Sequence, residues 1–193
     1  MNKKQLTNTL IFLSFLSIFS FFSCSDEDVI PKPNGFLRLK YPEAKYISFK
    51  EDCPYVLEYS DQATFSINQR CWGEIRYPKL KATLHLTYRP INGNLDDVLR
   101  DVEKLTWEHT QKADAINAPK VYENAKDNVY GSLMKIDGNV ASNIQFHVTD
   151  STKNLLSGAL YFEVKPNYDS IVPAIEYIQK DVQHLMESVR WKN

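Results

Sequence analysis

The chain has 193 residues, with 23 Lys and Arg against 24 Asp and Glu and a formal net charge of −1. No basic excess is available to neutralise a phosphate backbone or to grip anionic headgroups, which argues against nucleic acid as a partner and against electrostatic membrane attachment. The length suits one domain with a sizeable core.

The first element in chain order is a leader. Lys3 and Lys4 precede a 13-residue apolar run, Leu10–Phe22, and Ser23 follows as a small residue just before Cys24. That is the order of a secretory signal peptide. A membrane-spanning helix needs roughly 20 apolar residues, so the run is too short to cross a bilayer. Phe21-Phe22-Ser23-Cys24 resembles the lipobox of bacterial lipoproteins, with Phe21 where Leu is usual. On that reading residues 1–23 are removed and Cys24 carries a diacylglyceryl group. The alternative is ordinary secretion with cleavage nearby and an incidental cysteine. Losing Lys3 and Lys4 takes the net charge to about −3, so the membrane hold must come from acyl chains, two or three of which anchor stably where one does not.

Residues 24–35 are acidic (Ser25-Asp26-Glu27-Asp28) and then rich in Pro and Gly, without apolar periodicity: a tether ahead of a single domain over 36–193. The acidic block is either a solvated linker or resembles the signals that send some lipoproteins to the cell surface. After a short lead-in, Phe36–Pro42, extended runs are expected at Tyr55–Tyr59, Ala63–Ile67, Cys71–Tyr77 and Leu80–Tyr88. The last alternates strictly: Leu80, Ala82, Leu84, Leu86 and Tyr88 on one face, Lys81, Thr83, His85 and Thr87 on the other.

Cys53 and Cys71 remain once Cys24 is assigned to lipid, and two is the number for one disulfide in an oxidising compartment. The bond would close a loop of 17 intervening residues, worth about 3 kcal/mol in the chain-entropy model. Metal ligation and a catalytic thiol are the alternatives; neither cysteine has a CxxC partner or a nearby histidine.

Asn94 is placed to cap a helix with Asp96 and Asp97 in its first turn. Leu95, Val98, Leu99, Val102, Leu105 and Thr106 follow at helical spacing, and the pattern predicts helix to about Ile116, before Pro119. Three further extended runs are Val121–Tyr122 continuing near Val129–Ile136, Ala141–Thr149 and Leu155–Val164, joined by hairpin turns. Asp169-Ser170 should cap a last helix with Pro173 in its first turn and an apolar stripe from Ile171 to Val189. Strands joined by tight turns cannot be parallel. The expected class is therefore α+β, a mainly antiparallel sheet of six to seven strands with two helices packed on it. That order resembles the Mog1/PsbP-like folds as architecture.

Motifs for chemistry are few. No GxSxG, HExxH, CxxC or phosphate-binding Gly loop occurs. His85, His109, His147 and His184 are dispersed, with no ligand pair at i, i+3 or i, i+4 and so no metal or cofactor expected. His85 and His147 lie on polar strand faces and would meet if their strands were neighbours, together with Thr87, Asn143 and Gln145. Lys81, His85, Asn143, Gln145 and His147 are therefore the candidate face for a partner or ligand, against the plain reading of a solvated sheet. Trp107 either packs or is exposed.

The stretches VIPKPNGFLRLKYPEAKY, DCPY, CWGEIRYPKLKATLHLTYRPINGNLDDVLRDVEKLTWEHTQKAD and GNVASNIQFHVTDSTKNLLSGALYFEVKPNYDSIVPAIEYIQKDVQHLMESVRWK resemble the gliding-motility lipoprotein family GldD of Bacteroidota, from Asp28 to Lys192. The resemblance implies a non-enzymatic, lipid-anchored protein of the outer membrane that works in gliding and type IX secretion beside other envelope proteins of that apparatus. It implies lipid on Cys24 and a Cys53–Cys71 pair, and no catalytic residues, cofactor or small-molecule substrate. The competing expectation is a lipid-anchored carrier of a small ligand, with the polar sheet face as its site.

Overall fold

The computed structural model describes residues 40–109, 113–163 and 167–192, within one compact unit, Gly35–Asn193. The leader, Cys24 and the tether lie outside the described residues. The fold is α+β, with eleven antiparallel strands and two long helices among the described residues. A three-stranded sheet has the order β1 (Tyr46–Phe49), β2 (Tyr55–Ser60), β11 (Arg190–Trp191). An eight-stranded sheet runs β3 (Thr64–Ile67), β4 (Gly73–Tyr77), β5 (Ala82–Pro90), β10 (Asn154–Phe162), β9 (Ile144–Thr149), β8 (Val129–Asp137). The far strand β8 pairs with both β7 (Lys120–Asn124) and β6 (Ala115–Ile116). Helix α1 spans Leu95–His109 and α2 spans Tyr168–Ser188.

Alternation along the central strands divides the large sheet into two faces. Leu84, Leu160 and Ile144 are cross-strand neighbours, as are Leu86, Gly158, Phe146 and Leu133. All turn to the same side, where α2 (Ile175, Ile178, Val182, Leu185) and the small sheet (Tyr55, Leu57) seal the main core. Each large apolar side chain removed from water contributes about 1.5–3 kcal/mol, so this face carries most of the stability. Gly158 is required by packing: a Cβ there would lie 2.2 Å from the Phe146 ring.

Helix α1 does not share that core. Val98 packs with Ile91 and Leu155, joined by Leu95, Leu99 and Val102, in a separate small cluster. Leu155 has the opposite parity to Leu156 on β10, so α1 lies over the other face of the sheet. Two helices pack on the sheet as expected, but on its opposite faces: a stripe shows that a helix is half-buried but not which face of a two-sided sheet it covers.

Other expectations shift locally. The strand expected from Leu80 begins at Ala82, because Pro78–Leu80 forms a 3-10 turn closed by Lys81 at φ 50°. The helix expected to Ile116 does not reach it: α1 is described over Leu95–His109, and Ala115 and Ile116 instead pair with Asp137 and Ile136 at the edge of β8. Two apolar positions are too few for periodicity to outweigh an open strand edge. Asn94 precedes α1 as expected, but its side chain accepts from Asn92 N–H at 2.9 Å rather than capping the helix. α2 starts one residue before the expected cap, Tyr168 N–H donates to Asn139 Oδ1 at 2.8 Å, and Pro173 falls in the second turn.

Candidate functional site

The outer face of the large sheet, the one α1 partly covers, carries a groove of about 340 Å³. Its floor follows from strand register. Ser132, His147, Ser157 and Thr87 form one row across β8, β9, β10 and β5; Met134, Gln145, Ala159 and His85 form the next. Val102, Glu103 and Trp107 of α1 make one wall, and Tyr161 rises from the end of β10. An ion pair between Arg89 and Asp101, 3.2 Å, ties β5 to α1 at the margin. A second hollow of about 310 Å³ shares His85 and Thr87 and continues over β4 to Trp72.

Of the five residues singled out on the polar face, three line this groove: His85, Gln145 and His147. His85 and His147 do not meet, because β10 lies between their strands and puts them about 10 Å apart laterally. His85 Nδ1 stands 3.6 Å from Glu74 Oε1, and its ring meets the Tyr161 ring edge-on at 5.5 Å. Burial pushes the His147 pKa down, and the Glu103 carboxylate only partly opposes it. Burial thus favours the neutral ring, in which one nitrogen donates and the other accepts.

The other two are corrected. Lys81 sits in the left-handed turn before β5, away from the groove, and its carbonyl accepts from Glu163 N–H at 2.8 Å. Asn143 is 2% exposed and lies in the β8–β9 turn, where its amide donates to the carbonyls of Ile136 (2.9 Å) and Gly138 (3.1 Å). It is a structural clamp. A buried amide of this kind looks the same in sequence as one facing solvent.

Ser132, Ser157, Ala159, Tyr161 and Glu103 were not anticipated. On β10 both parities are largely apolar (Leu155, Ala159 and Tyr161 against Leu156, Leu160 and Phe162), so alternation could not separate the faces. Register with β9 and β5 does so.

Residues 26–191 match the family described as gliding motility lipoprotein GldD. The chain belongs to that family. The GldD match takes in both sheets, both helices and the groove, and begins two residues after Cys24. Among curated protein sequences, none matches. A solved structure, the solution structure of cyanobacterial PsbP (CyanoP) from Synechocystis sp. PCC 6803, is similar with a TM-score of 0.49 and 10% identity, covering 77% of this chain and 94% of that one.

Two further features of this GldD chain sit outside the groove. Cys53 and Cys71 are bonded, with Cα atoms 5.7 Å apart, which joins the lead-in to β2 with the β3–β4 turn. On the core side, Asp181 of α2 is 2% exposed and accepts from Tyr46 and Tyr77 hydroxyls, each at 3.2 Å. Burial pushes its carboxyl pKa up against the pull of Ser60, Tyr46 and Tyr77. Tyr46 also stacks on His184 at 3.5 Å, and burial with the Asp181 charge pushes its pKa up to about 12. Sequence reading missed this cluster because Asp181 interrupts an otherwise apolar stripe and looks like an exposed helix position. Among the described residues no helix is long and apolar enough to cross a membrane, and no group of three or more His, Cys, Asp or Glu is placed to hold a metal.

Proposed function

We propose that this gliding-motility lipoprotein is a non-enzymatic component of the outer membrane, anchored through lipid on Cys24, that assists or assembles the gliding and type IX secretion apparatus of a member of the Bacteroidota. The observation that carries the reading is the family match over residues 26–191. The geometry supports a binding role: the face opposite the main core is only partly covered by α1, and it gathers hydrogen-bonding side chains into one groove. The two groove histidines are held apart by β10, and His85 stands beside a carboxylate rather than a nucleophile. Crosslinking intact envelopes and purifying the protein should recover gliding or type IX secretion proteins. Recovery of none would count against this role.

A second reading is favoured by the same groove. A volume of about 340 Å³ lined by apolar and polar side chains falls in the range of small-ligand sites, so the domain would be a lipid-anchored ligand-binding protein of the envelope.

A further inference from the structure

The groove's chemistry is specific about what it could hold. Its floor presents neutral hydrogen-bonding groups, Thr87, Ser157, Ser132, Gln145 and His147, with Ala159 leaving room between them. The arginine in its lining is matched by a carboxylate, Arg89 pairing with Asp101, and Glu74 beside His85 adds a further negative charge. A phosphate or polyanion would find no concentration of positive charge. A fatty acyl chain would have to desolvate the floor's hydroxyls without replacing their hydrogen bonds.

An extended peptide is disfavoured for a different reason. The floor strands β4, β5, β10, β9 and β8 each have a neighbour on both sides, so no unpaired backbone edge faces the groove to pair with an added strand. Binding here must use side chains and ring faces. Large rings are what the rim offers: Trp107 is 61% exposed on the helix wall, Tyr161 37% at the end of β10, and Trp72 39% beyond β4. From β8 to β4 the two adjacent hollows, which share His85 and Thr87, cross four strand spacings, about 19 Å, a length that suits an oligomer rather than a single ring.

We propose that this groove binds a neutral oligosaccharide, with the apolar faces of the sugar rings against Trp107 and Tyr161 and the hydroxyls on Thr87 and Ser157. Sugars present one apolar face and a hydroxyl rim, which matches exposed aromatic rings above a neutral polar floor. The proposal rests on the second reading above, that the groove is a ligand site.

The test uses the lipidated full-length protein in a sugar-free detergent. Tryptophan fluorescence and saturation-transfer NMR follow titration with chitohexaose in its N-acetylated form, cellohexaose and maltohexaose. Hexagalacturonate, hexa-alanine and oleate are titrated alongside. At least one neutral hexasaccharide should bind, and Trp107→Ala and Tyr161→Ala should each weaken it about tenfold with the unfolding midpoint retained. Both residues are substantially exposed, so folding should survive each change. Binding of none of the three neutral hexasaccharides overturns the proposal, as does binding that neither substitution weakens. If hexa-alanine or oleate binds instead and the substitutions weaken it, the saccharide is wrong while the ligand-site reading stands. If no probe of any class binds, both fall.

Discussion

Asn143 spends one amide on two carbonyls, those of Ile136 and Gly138, and so holds the β8–β9 turn from within. Asn143→Ala leaves both carbonyls buried with a lost donor, which should cost about 2–3 kcal/mol and lower the urea midpoint. A midpoint equal to that of the parent chain would show that the clamp is dispensable. Asp181 calls for a pH experiment. Its pKa is raised in the folded state, chiefly by burial, so its contribution to stability is fully present below the unfolded carboxylate value and is lost as pH rises through the folded one. Asp181→Asn removes that titration while keeping an oxygen for one of the two tyrosines. Stability of the parent relative to the variant should be greatest near pH 3 and should fall as the pH is raised past the usual carboxylate range. A difference that is flat with pH, or that grows with it, would contradict the assignment.

Among elements, the turn between β3 and β4 is held by covalent and polar ties together. Cys71 bonds to Cys53, Asn68 Oδ1 accepts from Arg70 and Trp72 N–H at 2.9 and 3.2 Å, and Trp72 Nε1–H donates to the Tyr88 carbonyl at 2.9 Å. Reducing the bond should lower the unfolding free energy by about 2–4 kcal/mol, read as a fall in the urea midpoint with reductant. Free thiols on both cysteines in unreduced peptides would rule the bond out. The elements legible in the sequence were those whose periodicity is long and one-sided. β5 alternates over its middle, and α2 carries Ile175, Ile178, Val182 and Leu185 at helical spacing. β1, β6 and β11 have four, two and two residues, too few to show a period of two, and they exist because neighbouring strand edges accept them. His85, Gln145 and His147 were legible as groove residues because each lies opposite an apolar neighbour in a clear alternation. Asn143 and Lys81 shared that pattern and failed, since a turn ended the strand one residue away in each case.

At the scale of the molecule, the two faces of the large sheet divide the work. One is closed by α2 and the small sheet and holds the domain together; the other is partly covered by α1 and carries the groove. The lipid anchor proposed on Cys24 lies outside the described residues. Cys24→Ala should move the protein from the membrane to the soluble fraction, and full retention in a strain lacking its partners would contradict a lipid anchor there. If the groove is the working surface of this gliding-motility lipoprotein, filling it should abolish function while the fold survives. Ala159 lies mid-floor between His85 and Gln145, so Ala159→Trp fills the groove without touching the main core. The most direct measurement is colony spreading and type IX secretion in a deletion strain complemented with Ala159→Trp, with abundance, membrane attachment and unfolding midpoint determined alongside. The expected result is a protein of normal abundance, within about 0.5 kcal/mol of the parent in stability, whose cells neither spread nor secrete. A folded, abundant, membrane-attached variant whose cells glide normally would contradict it.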